Sequence, residues 1–154
     1  MRSLLPLALG LAVLAAGTDP IAAQGQAKEY PIFTAETFVA AMKTVGQAFG
    51  LVNSSLARKE YEESKAYLAI SRDRLATTIT FWRDRKKDDG VKMLRETLTR
   101  LDALDEAMSA EPVDPAAVAA AAKQAGSACE ACHAVYREQD PATKAYKFKG
   151  GLTE

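Results

Sequence analysis

The residues best suited to chemistry lie together near the C-terminus, as Cys129-Glu130-Ala131-Cys132-His133. They are the chain's 2 cysteines and its 1 histidine. Cys-x-x-Cys-His is the attachment pattern of c-type haem: two thiols add across the two vinyl groups, and an imidazole reaches iron on one face. At ~100° per residue, Cys129, Cys132 and His133 fall within about 100° of arc on a helix, so all three project from one side. The pattern points to one covalent haem c per chain.

Other chemistries of a thiol pair remain to be weighed. The two cysteines could form a plain disulfide in an oxidising compartment, or a redox-active dithiol. A thioredoxin-like site needs a βαβ context and a helix start, whereas this pair falls well inside an alanine-rich helical segment. A zinc site built on Cys129, Cys132 and His133 lacks a fourth ligand among further His or Cys residues.

These residues must be positioned by helices. The 154-residue chain has prolines at 6, 20, 31, 112, 115 and 141 only, and Gly90 is the one glycine between Gly50 and Gly126. A stretch so poor in breakers suits long helices. Phe38, Met42, Val45, Phe49, Val52 and Leu56 mark one face of a first helix over about 34–57, with Thr34 as cap and Glu36 in the first turn. A second helix over about 60–85 sets Tyr61, Leu68, Leu75 and Trp82 on a seven-residue repeat. The charged run 83–90 reads as a solvated turn. A third helix carries Val91, Leu94, Leu98, Leu101, Leu104 and Met108. Asp114-Pro115 opens a fourth, expected to reach about residue 138. Four helices with short connections predict an all-α, antiparallel up-down four-helix bundle.

The fourth helix is short of bulk. Between Pro115 and Glu138 its large apolar residues are Val118, Val135 and Tyr136, and alanine fills the rest. Native interiors do not tolerate large voids. Either another group occupies that volume or the helices approach closely; the first case predicts a cavity beside Cys129, Cys132 and His133, walled by the first helix.

The opening segment has its own signature. Met1-Arg2-Ser3, an apolar run to Gly17 and the small residues Ala22-Ala23 have the layout of a secretory signal peptide over 1–23. The run is shorter than the ~20 apolar residues of a membrane span. Residues 24–154 then form one exported domain, with a core at about 33–138 and a tail at 139–154, and with no membrane insertion. With 20 Lys+Arg against 20 Asp+Glu there is no global basic field to favour nucleic acid.

Signal segment, helix pattern and C-terminal motif together resemble the class II cytochromes c, the cytochrome c′ family, over roughly residues 33–138. The string Cys129-Glu130-Ala131-Cys132-His133-Ala134-Val135-Tyr136-Arg137 is similar to the family's Cys-x-x-Cys-His-x-x-Tyr-Arg. Ala41-Met42-Lys43 and Ala48-Phe49-Gly50 fall where the family has its haem-facing segment. The resemblance implies His133 as proximal iron ligand, Arg137 as a basic residue near the haem, and Met42 at the distal position. Arg137 could equally be an exposed partner of Glu130 on the same stripe. Phe38 stands where many members carry an arginine; it and Phe49 are candidate haem surroundings. Low-spin members place an iron-binding methionine at the distal position, and high-spin members an apolar non-ligand.

With Met42 as ligand, the resemblance implies a periplasmic one-electron carrier rather than an enzyme, served by redox partner proteins, and a pairing into homodimers. The alternative is a high-spin, cytochrome c′-like binder of small gases such as NO or CO. Phe81 and Trp82 either wall the haem or belong to ordinary core. Met108 reads as packing. Lys144, Lys147 and Lys149 lie in what reads as a solvated tail, and are a candidate docking surface for an acidic partner.

Overall fold

The computed structural model describes residues 33–149 and 152. The segment 1–23 expected to act as a signal lies outside the described residues. The architecture is a four-helix bundle with antiparallel neighbours: helix α1 (Ala35–Ala57) packs on α2 (Tyr61–Thr77), α2 on α4 (Asp88–Ser109), and α4 on α5 (Pro115–Tyr136). A short helix α3 (Ile79–Asp84) follows α2, and a hairpin of β1 (Arg137–Gln139) and β2 (Tyr146–Phe148) follows α5. No described helix is long and apolar enough to cross a membrane.

Helix α1 starts where its cap is. The Thr37 backbone N–H donates to Thr34 Oγ1 at 3.2 Å, and Glu36 sits at the positive end of the helix. Its buried seam is Phe38, Ala41, Val45, Ala48, Val52 and Ser55, a repeat of three and four. The expected stripe is therefore split. Met42, Phe49 and Leu56 are only half-buried and sit one position round from the small residues that meet α2. The reason is close packing: Ala41, Ala48 and Ser55 face Ser64, Leu68, Ser71 and Leu75, the buried seam of α2. Small side chains let the backbones approach until Ser71 Oγ donates to the Val45 carbonyl at 3.3 Å and Ser64 Oγ to that of Val52 at 3.5 Å.

The expected second helix over 60–85 is interrupted at Thr78. Thr77, Thr78 and Thr80 each donate a side-chain hydroxyl to the carbonyl three residues back, at 2.8, 2.7 and 3.4 Å. These β-branched residues disfavour the helix and offer its carbonyls a competing donor. Beyond the break, α3 buries Thr80, Phe81 and Trp82. Of the run 83–90 only Arg85–Lys87 lie outside helices, because Arg83 and Asp84 end α3 and Asp88 and Asp89 form the acidic first turn of α4.

Helix α5 begins as expected, with Ala116 N–H donating to Asp114 Oδ1 at 2.8 Å and Pro115 in the first turn. It ends at Tyr136, two residues short of the expected end, since Arg137 is extended (φ −116°, ψ 135°). The tail is folded, not merely solvated. Arg137 pairs with Phe148, Glu138 with Lys147 and Gln139 with Tyr146. Asp140 holds the turn by accepting from Ala142 and Thr143 N–H at 3.0 and 2.8 Å. The hairpin is pinned to the bundle by Phe148, whose ring centroid lies 5.4 Å from that of Phe38 and 5.2 Å, stacked, from that of Phe81.

Candidate functional site

The last turns of α5 carry Cys129, Cys132 and His133, all half-buried on one side of the helix. They open onto a cavity of about 600 Å³. That size lies inside the ~300–1,000 Å³ range of cofactor and small-molecule sites. The facing wall is α1, through Phe38, Met42, Val45 and Phe49; Leu75, Thr78 and Trp82 come from α2, its break and α3, and Leu94 and Thr97 from α4. The hairpin closes one side with Arg137, Tyr146 and Phe148.

Two local features shape this chamber. Helix α5 splits the packing problem between its halves: Val118 and Ala125 are buried, whereas the half bearing the motif has no large apolar side chain directed at α1 before Tyr136. Aromatic rings then form the end wall. Trp82 lies 5.2 Å from Phe38, 5.1 Å from Phe81 and 4.6 Å from Tyr136 between ring centroids. Phe81 is fully buried behind this wall as core. Trp82 lines the cavity itself.

The electrostatics keep the motif neutral. Burial pushes the Cys129 thiol above its ordinary value, and burial, with the neighbouring Cys129 and Asp89, pushes that of Cys132 up to about 11. Burial, with the Arg137 cation, holds His133 below the usual imidazole range. At neutral pH the site therefore presents two protonated free thiols and an uncharged imidazole with a lone pair to give. The Tyr136 hydroxyl is buried without a hydrogen bond of ordinary geometry. Burial foremost, and the nearby Asp89 carboxylate next, hold this phenol protonated well above its usual pKa.

The residues singled out in the sequence meet here. Cys129, Cys132, His133, Met42, Phe38, Phe49 and Arg137 all line the one cavity. Arg137 is exposed and its guanidinium carbon lies 4.2 Å over the Tyr146 ring; among the described residues no ion pair joins it to Glu130. Met108 is buried core away from the site. Sequence reasoning missed Thr78, Thr97 and the rings of Tyr146 and Phe148; Lys144 and Lys147, set there in the tail as a candidate docking surface, line the cavity instead, together with Lys43 of the 41–43 segment. The alternation Tyr146-x-Phe148 after the turn-forming Asp140-Pro141 was the available signal for the hairpin.

The donor set suits a large planar apolar group better than a bare ion. Among the described residues, no three His, Cys, Asp or Glu side chains converge to hold a metal ion. Thiols and imidazole stand on one wall of an apolar chamber, with a thioether on the wall of α1. Thiols, imidazole and thioether are side chains that could hold a haem. Comparison with protein families, with curated proteins and with solved structures finds no match to this chain.

Proposed function

We propose that the chain is an exported, periplasmic c-type cytochrome that carries single electrons between redox partner proteins. In this reading Cys129 and Cys132 hold one haem c through thioether bonds, His133 is the proximal ligand and Met42 the distal one. The observation that carries it is the apolar cavity that the whole Cys-x-x-Cys-His motif shares with Met42. The likeness to class II cytochromes c belongs to the same reading.

Bound haem supplies a one-electron iron couple, and histidine–methionine ligation sets its potential high relative to ligation by stronger donors. The chain's own task is to hold, to orient and to exclude water. His133, kept uncharged by burial, needs no deprotonation before it binds a metal. Met42 offers a neutral sulfur from a helix locked against α2 by Ala41, Val45 and Ala48, so its backbone position is rigid. Phe38, Phe49 and Trp82 are apolar cover. Thr78 and Thr97 spend their hydroxyl protons on the Leu75 and Met93 carbonyls at 2.7 and 2.9 Å, so these hydroxyls bring no free donor to the chamber.

The test is expression with a full c-type maturation system. Intact mass should equal the processed chain plus one haem, and the haem should stay with the polypeptide in acid-acetone. A product of apo mass overturns the reading. A haem-bearing product that is high-spin as purified replaces the electron carrier with the gas-binding alternative.

A further inference from the structure

The mouth of the cavity carries cations that ligand attachment leaves without a task. Lys43 of α1, Arg137 of β1, Lys144 of the hairpin turn and Lys147 of β2 line it, and no Asp or Glu does. Lys147 is partly occupied by Glu138, 3.3 Å away across the hairpin, and Arg137 lies over Tyr146. Among the described residues Lys43 and Lys144 have no ion-pair partner. The remaining lining is mainly apolar: Phe38, Val39, Met42, Val45 and Phe49 along α1 alone. An apolar chamber with a one-signed rim is complementary to a ligand with an apolar body and an anionic edge. Haem, with two carboxylates on one edge of an apolar macrocycle, has that form.

The cations are held at the rim rather than left to drift there. Phe148 stacks on Phe81, Asp140 ties the turn through two backbone N–H groups, and Lys149 Nζ donates to the Ala134 carbonyl at 2.6 Å. Lys144 follows that turn with a left-handed φ of 60°. Carboxylates entering a partly desolvated mouth need charged donors there, because an unpaired buried charge is costly.

We propose that Lys43, Arg137, Lys144 and Lys147 form a cationic clamp for the haem carboxylates, which makes the C-terminal hairpin a functional part of the site. This rests on the proposed haem attachment. Ligand and hairpin then stabilise each other: the carboxylates draw the turn onto the cavity, and the clamp's positive charge favours the electron-rich state of the bound group.

The test uses the haem-bearing chain. Lys43→Glu with Lys144→Glu reverses the two rim charges that have no partner in the protein. Lys92→Glu with Lys123→Glu makes the same change in net charge at exposed sites off the cavity. The rim pair should lower the midpoint potential and speed chymotrypsin cleavage at Tyr146 and Phe148 at least tenfold; the control pair should do neither. Lys43→Arg with Lys144→Arg should keep both wild-type values. A chain that attaches haem but shows equal potentials and equal cleavage for the rim and control pairs overturns the clamp and leaves the cytochrome reading standing. A chain that attaches no haem overturns both.

Discussion

Gly90→Ala tests the packing that shapes the cavity, because two effects of opposite sign meet at that position. Gly90 lies in the first turn of α4, where exchange to alanine would ordinarily favour the helix by up to ~1 kcal/mol. A β-carbon there would sit 2.5 Å from Trp82 Cε3 and 2.7 Å from Cδ2, inside any real carbon–carbon contact. The clash is with the body of a ring, and the ring has little room: Trp82 is 3% exposed and held among Phe38, Phe81 and Tyr136. Overpacking of this kind costs about 1–3 kcal/mol. The steric cost wins, leaving a net loss of roughly 1–2 kcal/mol and a fall in melting temperature of about 5 °C. Circular dichroism gives the melting curve, and Trp82, the chain's only tryptophan, reports the ring's displacement by fluorescence where no haem quenches it. In a Trp82→Leu background the same glycine substitution should become neutral or stabilising, a coupling of at least ~1 kcal/mol. A Gly90→Ala protein as stable as wild type, or a loss that survives in Trp82→Leu, refutes the reasoning.

Three further outcomes follow from the same geometry. In protein made without haem maturation, Cys132, with its pKa near 11, should alkylate with iodoacetamide at pH 8 on the order of 100-fold more slowly than an unfolded control, and accelerate about tenfold per pH unit. Glu63, whose pKa is lowered first by the Ser55 hydroxyl at 2.8 Å and then by neighbours including Arg58, contributes stability that is full above its ordinary pKa of 4.5 and is lost as pH falls through the lower folded value. The gap in melting temperature between wild type and Glu63→Gln should therefore be larger at pH 7 than at pH 3. On the proposed haem attachment, Cys129→Ala with Cys132→Ala would leave the chamber of about 600 Å³ unfilled and should melt below haem-loaded wild type, and equal melting temperatures would contradict this.

What was legible in the sequence was whatever local chemistry decides. Thr34 and Asp114 cap the helices they were expected to cap, and the leucines of α4 face inward on their period. Helical spacing put Cys129, Cys132 and His133 on one face and the alanine run pointed to a cavity beside them, while Met42 was set opposite by the resemblance and not by spacing. The departures arise where tertiary contacts decide. The expected apolar stripe of α1 left out Ala41 and Ala48, yet they take the contact with α2, because small residues are what closely spaced backbones require. The break at Thr78 turns on a competition for carbonyls among three threonines, which hydrophobic periodicity does not register. The hairpin is anchored by Phe148 on Phe38 and Phe81, residues far apart in the chain, so its stability is invisible to any local window. With it went the place of Lys144 and Lys147 in the cavity lining.

The most direct test of the central claim is a pair of absorption spectra, oxidised and reduced, of the protein purified after expression with c-type maturation and of Met42→Leu. The account predicts a covalent, low-spin haem in the wild type, with the weak far-red band of sulfur bound to ferric iron. Met42→Leu should lose that band, turn high-spin, bind carbon monoxide more readily and show a lower midpoint potential. A wild type without a Soret band would contradict the haem assignment itself. A wild type already high-spin, or a spectrum unchanged by Met42→Leu, would contradict the electron-carrier reading.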